Sequence, residues 1–546
     1  MIRREFLAGL AAMASPTATL AADRRAALLE VAHPSGLNFI HRNSSTSQRY
    51  LIETMGAGVA LLDYNNDGLL DIFFVNSGHL DDPVKPPVDF WRRDPAYWNR
   101  LYRQNRDSTF TDVTKEAGLS GAAVNTYGMG VATGDYDNDG FTDIYVTGFP
   151  GNILYHNNGD GTFADVTTRS GVAGGGWSAS AGFFDYDKDG MLDLFVTRYL
   201  DWDFARHQIC GKDFSFYCQP DTYPPISSLL YHNNGDGTFT DVSQKSGIAE
   251  AKGKSLGVTF NDYDGDGWPD IFVANDRVEN FLWHNNGDGT FTNTAMEAGV
   301  ALSEDGKANS GMGVDFSDFD NDGRPDIVVT NLSSEIYSLY RNDGNGLFTY
   351  DSLPTGLGAL TANHSGWGVR WEDFDNDGWK DFFAAQSHVQ DNVNRLDPRK
   401  RYKEPPLLAR NVRGKLEQVA IPGIGPVAGR GAAFGDLHRD GLVDVVMSIL
   451  GGSPVLFQSA RNGNHWLGID LIGTHSNRDG FGAKVEVNGQ WGHASSAGSY
   501  LSASDKRLHF GLAEAREARV EIHWPSGAHQ VLEHVKADQV VKVREP

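Results

Sequence analysis

Cysteine is nearly absent: two in 546 residues, Cys210 and Cys218 in CGKDFSFYC. No CxxCH occurs, so a c-type haem attachment is excluded. Beyond the N-terminus no apolar run approaches the length of a membrane span. Positive charge is scarce, with 47 Lys and Arg against 71 Asp and Glu for a formal charge of −24. Without a basic stripe, nucleic-acid binding through phosphate attraction is not expected. Nucleophile elbow, P-loop, HExxH and dinucleotide fingerprint are all missing.

Aspartate and glycine are abundant, and they fall in a repeated frame. A nine-residue pattern occurs seven times: DYNNDGLLD, DYDNDGFTD, DYDKDGMLD, DYDGDGWPD, DFDNDGRPD, DFDNDGWKD and DLHRDGLVD. These copies hold 26 aspartates, which accounts for most of the acidity. Oxygen side chains at positions 1, 3, 5 and 9 suit a hard cation that takes six to eight oxygens, as calcium does. Glycine at position 6 permits the sharp turn that gathers them. The expected ligands are Asp63, Asn65, Asp67 and Asp71; Asp135, Asp137, Asp139 and Asp143; Asp185, Asp187, Asp189 and Asp193. The next three sets are Asp262, Asp264, Asp266 and Asp270; Asp318, Asp320, Asp322 and Asp326; Asp373, Asp375, Asp377 and Asp381. About six calcium sites are thus expected. The seventh copy, Asp436, His438, Asp440 and Asp444, is the weakest metal candidate because of its histidine.

An EF-hand needs a carboxylate at position 12 and a helix after it. Here position 12 is apolar and lies in runs such as DIFFVN and DIVVTN, so strands follow and each loop tips a β-hairpin. A glycine-led strand precedes most loops (GVALLDY, GVATGDY, GVTFNDY, GVDFSDF), and an outer pair around HNNGDGT follows several of them. Four-stranded units repeated seven times predict an all-β, seven-bladed propeller rather than a linear solenoid. LLEVAHPSGL (28–37) echoes the end of a unit and can complete the last one, which closes the ring.

The N-terminus, MIRREFLAGLAAMASPTATLAAD, reads as an export signal over 1–22, its RR-x-FL resembling a twin-arginine signal. A periplasmic or secreted, cell-surface destination follows. In that setting Cys210 and Cys218 are expected to form a local disulfide.

The DxDxDGxxD hairpins resemble the FG-GAP or VCBS repeats of integrin-α-like propellers. NHWLGIDLIGTHSNRDGFGAKVEV, GSYLSASDKRLHFGLAEA and VEIHWPSG resemble the ASPIC/UnbV C-terminal domain. Together they are similar to the bacterial relatives of cartilage acidic protein 1. The resemblance implies an exported calcium-binding propeller over 24–460 and a small β-sandwich-like domain over 464–546. It implies no reaction. Trp466, Phe510 and Trp524 are expected to dock the tail on the last blade.

Two places could carry function. Long connections near 77–100, 199–228 and 387–406 leave the face opposite the hairpin tips and hold aromatics such as Trp91, Trp202, Phe216 and Tyr223. The channel mouth gathers His79, His364 and His388 with Asn76, Arg198, Asp276 and Asn331, and His41 approaches it. Those three histidines are the candidate catalytic or transition-metal groups. His156, His232 and His284, repeated in HNNGDGT, read as turn residues. Two functional classes follow: a binding or adhesion module for an extracellular or periplasmic saccharide or protein, and a metal-assisted lyase or hydrolase acting on a saccharide at the channel mouth.

Overall fold

The computed structural model describes residues 28–85, 88–90, 93–121 and 125–546; the expected export signal and Trp91 lie outside them. Seven four-stranded antiparallel sheets form the blades. Blade 1 runs Val59–Leu62, Asp71–Phe74, Arg100–Gln104 and Phe110–Asp112 from the axis outward. Blades 2 to 6 repeat this order, with innermost strands Tyr127–Gly134, Ser178–Phe184, Ser255–Asn261, Val314–Ser317 and Gly366–Glu372. Blade 7 takes three strands, Gly429–Gly435, Asp444–Ile449 and Val455–Ser459, from the end of the ring. Its fourth is Leu29–Ala32, with Leu29 opposite Ser459. Neighbouring innermost strands adjoin all the way round, and blade 1 meets blade 7. The protein is therefore a closed seven-bladed propeller with no free sheet edge at the join.

Alternation along each strand puts large side chains between adjacent blades. Phe184 of blade 3 stacks on Phe260 of blade 4 with ring centroids 4.2 Å apart. Both are buried, and such a side chain contributes roughly 1.5–3 kcal/mol through apolar burial.

The C-terminal domain is a sandwich of a three-stranded and a four-stranded sheet. The first holds Leu508–Ala513, His465–Ile472 and Gln539–Arg544; the second holds Gln490–His493, Lys484–Val487, Glu517–His523 and His529–Lys536. Here the docking expectation needs correction. Phe510 and Trp524 belong to this domain's own core with Leu467, Val485 and Ile522. Only Trp466 reaches blade 7, where it lies so close to Gly441 that a β-carbon there would fall 1.8 Å from its ring. The reason is strand parity: Phe510 points between the two sheets, while Trp466 lies at the sheet end nearest the propeller.

The main attachment is a segment no docking aromatic announces. Residues 495–505 enter the propeller channel and bond to its innermost strands. Leu501 accepts from Val131 N at 3.0 Å, Ser499 from Val314 N at 2.9 Å, and Ala503 from Leu61 N at 3.1 Å. Leu501 N donates to Ser180 Oγ, Ser499 Oγ accepts from Val369 N and donates to Ala432 O, and Ala497 packs with Val258 and Phe260. All seven blades are touched. At the tip, Tyr500 OH donates to Met55 O at 2.9 Å. The glycines that lead the inner strands now have a purpose: a β-carbon on Gly58 would fall 2.3 Å from Leu501 O, and one on Gly431 would fall 2.4 Å from Ser502 Oγ.

Candidate metal loops and ligand pocket

Each DxDxDG loop is held by its own backbone. Asp135 accepts from Asp139 N at 3.0 Å and Gly140 N at 2.7 Å. Asp143 accepts from Tyr136 N and Asn157 N, so the position-9 carboxylate ties the loop to the third strand. The position-6 glycines have φ near +90°, for example Gly140 at 94° and Gly378 at 91°. The residue at position 4 is also left-handed, which asparagine tolerates. That asparagine has a second role. Asn66 Nδ2 donates to Gly140 O, Asn138 to Gly190 O, Asn321 to Gly378 O and Asn376 to Gly441 O, at 2.8–2.9 Å. Each such loop is thereby bonded to the loop of the next blade.

The carboxylates converge with too few partners. Asp185 Oδ1, Asp187 Oδ1, Asp320 Oδ1, Asp375 Oδ1 and Asp381 Oδ2 are buried without a hydrogen bond among the described residues. Burial pushes Asp193 up to about 8, opposed by its His232 hydrogen bond and helped by Asp187. Burial pushes Asp185 to about 7, with Asp189 and Asp187 adding to it. Desolvated oxygens of like charge with open lone pairs are the donor set of a hard cation, so these residues fit one.

Three histidines join the loops. His156 Nδ1 lies 3.3 Å from both Asp137 and Asp143, and His232 and His284 repeat this in blades 3 and 4. The turn role expected for them is therefore corrected. They sit one residue before the asparagine whose N–H binds the position-9 aspartate, so they face the loop and not the outer turn. Arg410 holds the same place in blade 6, 2.6 Å from Asp375. In the seventh loop His438 Nδ1 lies 2.7 Å from Asp444 Oδ2 and supplies an internal partner where the other loops have an aspartate or, in the first, Asn65.

The loops also face the C-terminal domain. Asp135 N donates to Asp479 and Arg478 N to Asn138, while Lys484 Nζ donates to Gly323 O and His509 Nε2 meets Asn376 Oδ1 at 2.7 Å. The cleft between the two parts, about 650 Å³, is lined by charges such as Asp479, Lys506, Asp505 and Arg507 that pair with one another.

The opposite face carries the long connections and a cavity beneath them. The second strand of each blade leads away from its loop, so the residues after it surround the far mouth. A cavity of about 250 Å³ lies there, lined by Met55, Tyr199, Asp276, Met312, Trp367 and His388 among others. Asp276 is buried and accepts from Tyr199 OH at 2.6 Å; burial pushes its carboxyl up to about 6 against that hydrogen bond. Cys218, in its disulfide with Cys210, borders the cavity and pins the connection that covers it. Beneath lies Arg430, fully buried, its guanidinium 4.0 Å from the Trp367 ring centre and bonded to Thr54 O and Gly429 O. Tyr500, at the tip of the inserted segment, packs edge-on against Trp367 at 4.9 Å. The C-terminal domain thus supports the cavity floor from inside the channel.

The three candidate catalytic histidines have separate partners. His79 Nδ1 meets Tyr97 OH at 3.1 Å, and its Nε2 lies 3.5 Å from Asp81. His364 Nδ1 lies 2.7 Å from Glu404. His388 is buried, accepts from Gln390 N, and is pushed down to about 4 by burial and then by Lys400 and Arg430. His41, bonded by Gly451 N and Ser77, is held neutral by burial.

Glu53 nearby was not singled out in the sequence. It is fully buried, accepts from Thr46 Oγ1, Tyr50 N and Tyr217 OH, faces Tyr127 as well, and burial pushes it up to about 7. A carboxyl raised above its unfolded value stabilises the fold below that value and loses the contribution as pH rises through about 7. Glu53→Gln should therefore raise the melting temperature at pH 8 and leave it nearly unchanged at pH 4. The alkaline gain should be on the order of 3 kcal/mol. Equal variant and parent curves from pH 4 to 8 would refute this.

Residues 63–146, 135–196, 227–273, 262–329 and 318–384 match the FG-GAP-like repeat. The chain belongs to the FG-GAP-like repeat family. Its residues 473–546 match the ASPIC and UnbV domain. This FG-GAP chain is similar to cartilage acidic protein 1 of Homo sapiens, 28% identical over 317 residues, covering 56% of this chain and 45% of the relative. The Xenopus tropicalis protein of that name is 25% identical over 496 residues, covering 86% and 70%. The chain spans about half the length of the human and mouse relatives it matches. Among solved structures, an Agrocybe aegerita lectin studied for recognition of non-reducing terminal N-acetylglucosamine aligns at TM-score 0.41 and 16% identity, covering 80% of this chain and 96% of the lectin. Rhamnogalacturonan lyase YesW aligns at 0.37 and 12%, covering 73% and 71%. Among the described residues of the FG-GAP chain, no helix is long and apolar enough to cross a membrane.

Proposed function

We propose that this protein is an exported, calcium-loaded binding module whose ligand seats in the far-face cavity around Asp276. The observation that carries the reading is the occupancy of the rest. The C-terminal domain covers loops on the hairpin face and fills the channel with residues 495–505, and the cleft it leaves there is lined by charges that pair with one another, so the far mouth with its disulfide-pinned cover is the concave surface better suited to a ligand. Calcium in loops 1 to 6 would be held by the aspartates and Asn65 named above, and it would supply the positive charge that their buried oxygens lack. The ligand class is a saccharide or a protein segment. Asp276 and Gln390 offer polar partners and Met55, Met312 and Leu332 an apolar wall, the mix that small-ligand sites use. A lyase or hydrolase needs its groups converging on one reacting atom, and His79, His364 and His388 are each held by a different neighbour.

The test is a glycan and peptide array probed with the intact, calcium-saturated protein, followed by titration of each hit. Asp276→Asn should weaken a genuine ligand about tenfold or more, the loss expected for a buried polar contact, with the melting temperature retained. A ligand that binds parent and variant equally would place recognition elsewhere. Cleavage of a bound saccharide would replace the module by the enzyme.

A further inference from the structure

We propose that the C-terminal domain carries a second kind of metal site, for a borderline divalent transition ion such as Cu2+ or Zn2+, built from Glu521, His523 and His529. These residues lie on the hairpin Glu517–His523 and His529–Lys536, far from the aspartate loops in sequence, and they pair two imidazoles with one carboxylate where a loop sets one imidazole among several carboxylates. His523 and His529 are direct cross-strand partners, and Glu521 is two residues before His523, so all three share one face of the sheet. Glu521 Oε1 lies 2.8 Å from His529 Nε2 and 3.3 Å from His523 Nε2, and the three donor atoms fall within 4.8 Å of one another. Ligands held about 2.0–2.2 Å from one ion are themselves about 3.0–3.5 Å apart. The cluster needs little adjustment to reach that geometry.

Its surroundings hold it in place. Arg519 Nη1 takes the other oxygen, Glu521 Oε2, at 2.6 Å and leaves Oε1 turned to the imidazoles. Trp491 stacks on the His523 ring at 6.3 Å, and the two imidazole centres are 4.8 Å apart. Lys484, the cross-strand neighbour of His523, spends its ammonium on Gly323 O and the Trp491 face. The hairpin is closed by Trp524 and Ala528 through a backbone bond of 2.9 Å. Both histidines are about half exposed, so coordination positions remain open to solvent or a further ligand. Two imidazoles and one carboxylate select Cu2+, Zn2+ or Ni2+ over Ca2+ or Mg2+.

The test uses the full chain without a histidine tag, saturated with calcium so that the aspartate loops are blocked. Cu2+ titration by calorimetry should show one more tight equivalent in the parent than in the double variant His523→Ala/His529→Ala. Electron paramagnetic resonance of that equivalent should show nitrogen hyperfine coupling from two imidazoles. Glu521→Gln should weaken the same equivalent about tenfold, as loss of a ligating or supporting carboxylate does. Melting curves of the exposed variants should match the parent, and His529→Gln alone provides a second, milder loss of the site. Equal copper stoichiometry in parent and variants, or an imidazole signal that persists in the double variant, would overturn the proposal. So would release of calcium in step with copper uptake.

Discussion

Excess EDTA should lower the melting temperature of this protein by roughly 10–20 °C, and added calcium should restore it. A site held at 100 times its dissociation constant adds about 2.7 kcal/mol to the folded state, and six sites are proposed. The cause lies in the loops themselves. In loops 3, 5 and 6, Asp185, Asp187, Asp320, Asp375 and Asp381 each have a buried oxygen that no described residue satisfies, and Asp185 and Asp187 lie beside one another. Without an ion these charges repel in a desolvated pocket. Differential scanning calorimetry with and without chelator reads the effect directly, and an unchanged midpoint would sink the calcium reading. The loops should also differ among themselves. Arg410 already partners Asp375 in blade 6, so that loop should bind more weakly than the blade 2 loop. His438 already partners Asp444, so His438→Ala should destabilise the protein even in EDTA by stranding a buried carboxylate.

Removing the chain after Gly463 should leave a propeller that folds but melts markedly lower and is cut faster by protease near the channel. The loss is larger than that of a docked neighbour, because residues 495–505 bond to the inner strands of the blades. Tyr500→Ala isolates the centre of this effect. Tyr500 is fully buried against Trp367, and truncating a buried aromatic costs about 3–5 kcal/mol. The same variant removes support from beneath the Asp276 cavity, so any ligand found there should bind it less well. A Tyr500→Ala protein with the parent's melting temperature would show that the segment merely occupies the channel.

Most of the propeller was legible from one repeated frame. The DxDxDG loops mark the turn between first and second strands of every blade, and the echo of a unit's end at 28–37 marks the strand that pairs Leu29 with Ser459. The histidines of HNNGDGT were misread because the turn after them is so strong a signal. Their constant place beside the asparagine that binds the position-9 aspartate was the clue to their orientation. The inserted segment was harder to see. GSYLSASD has neither a strand's apolar alternation nor a helix's period, since its hydrogen bonds go to blades far away in sequence. What could have exposed it was the glycine at the head of inner strands, which means close approach of another backbone. Asp276 and Glu53 were not recognisable as buried acids because burial at the far mouth is set by the long connections folding over it.

Closing blade 7 with the first strand has a consequence for how the chain is made. Leu29 finds its partner only after Ser459 has been synthesised, and the channel is filled later still by residues 495–505. At about 5–20 residues per second, the first strand stays without its partner for roughly 20 to 90 s. During that time the nascent ring presents open edges to other chains, the usual start of aggregation. Closure of the ring is therefore a late event in synthesis, and factors that shield the growing chain should govern its yield more than factors that act on the finished one.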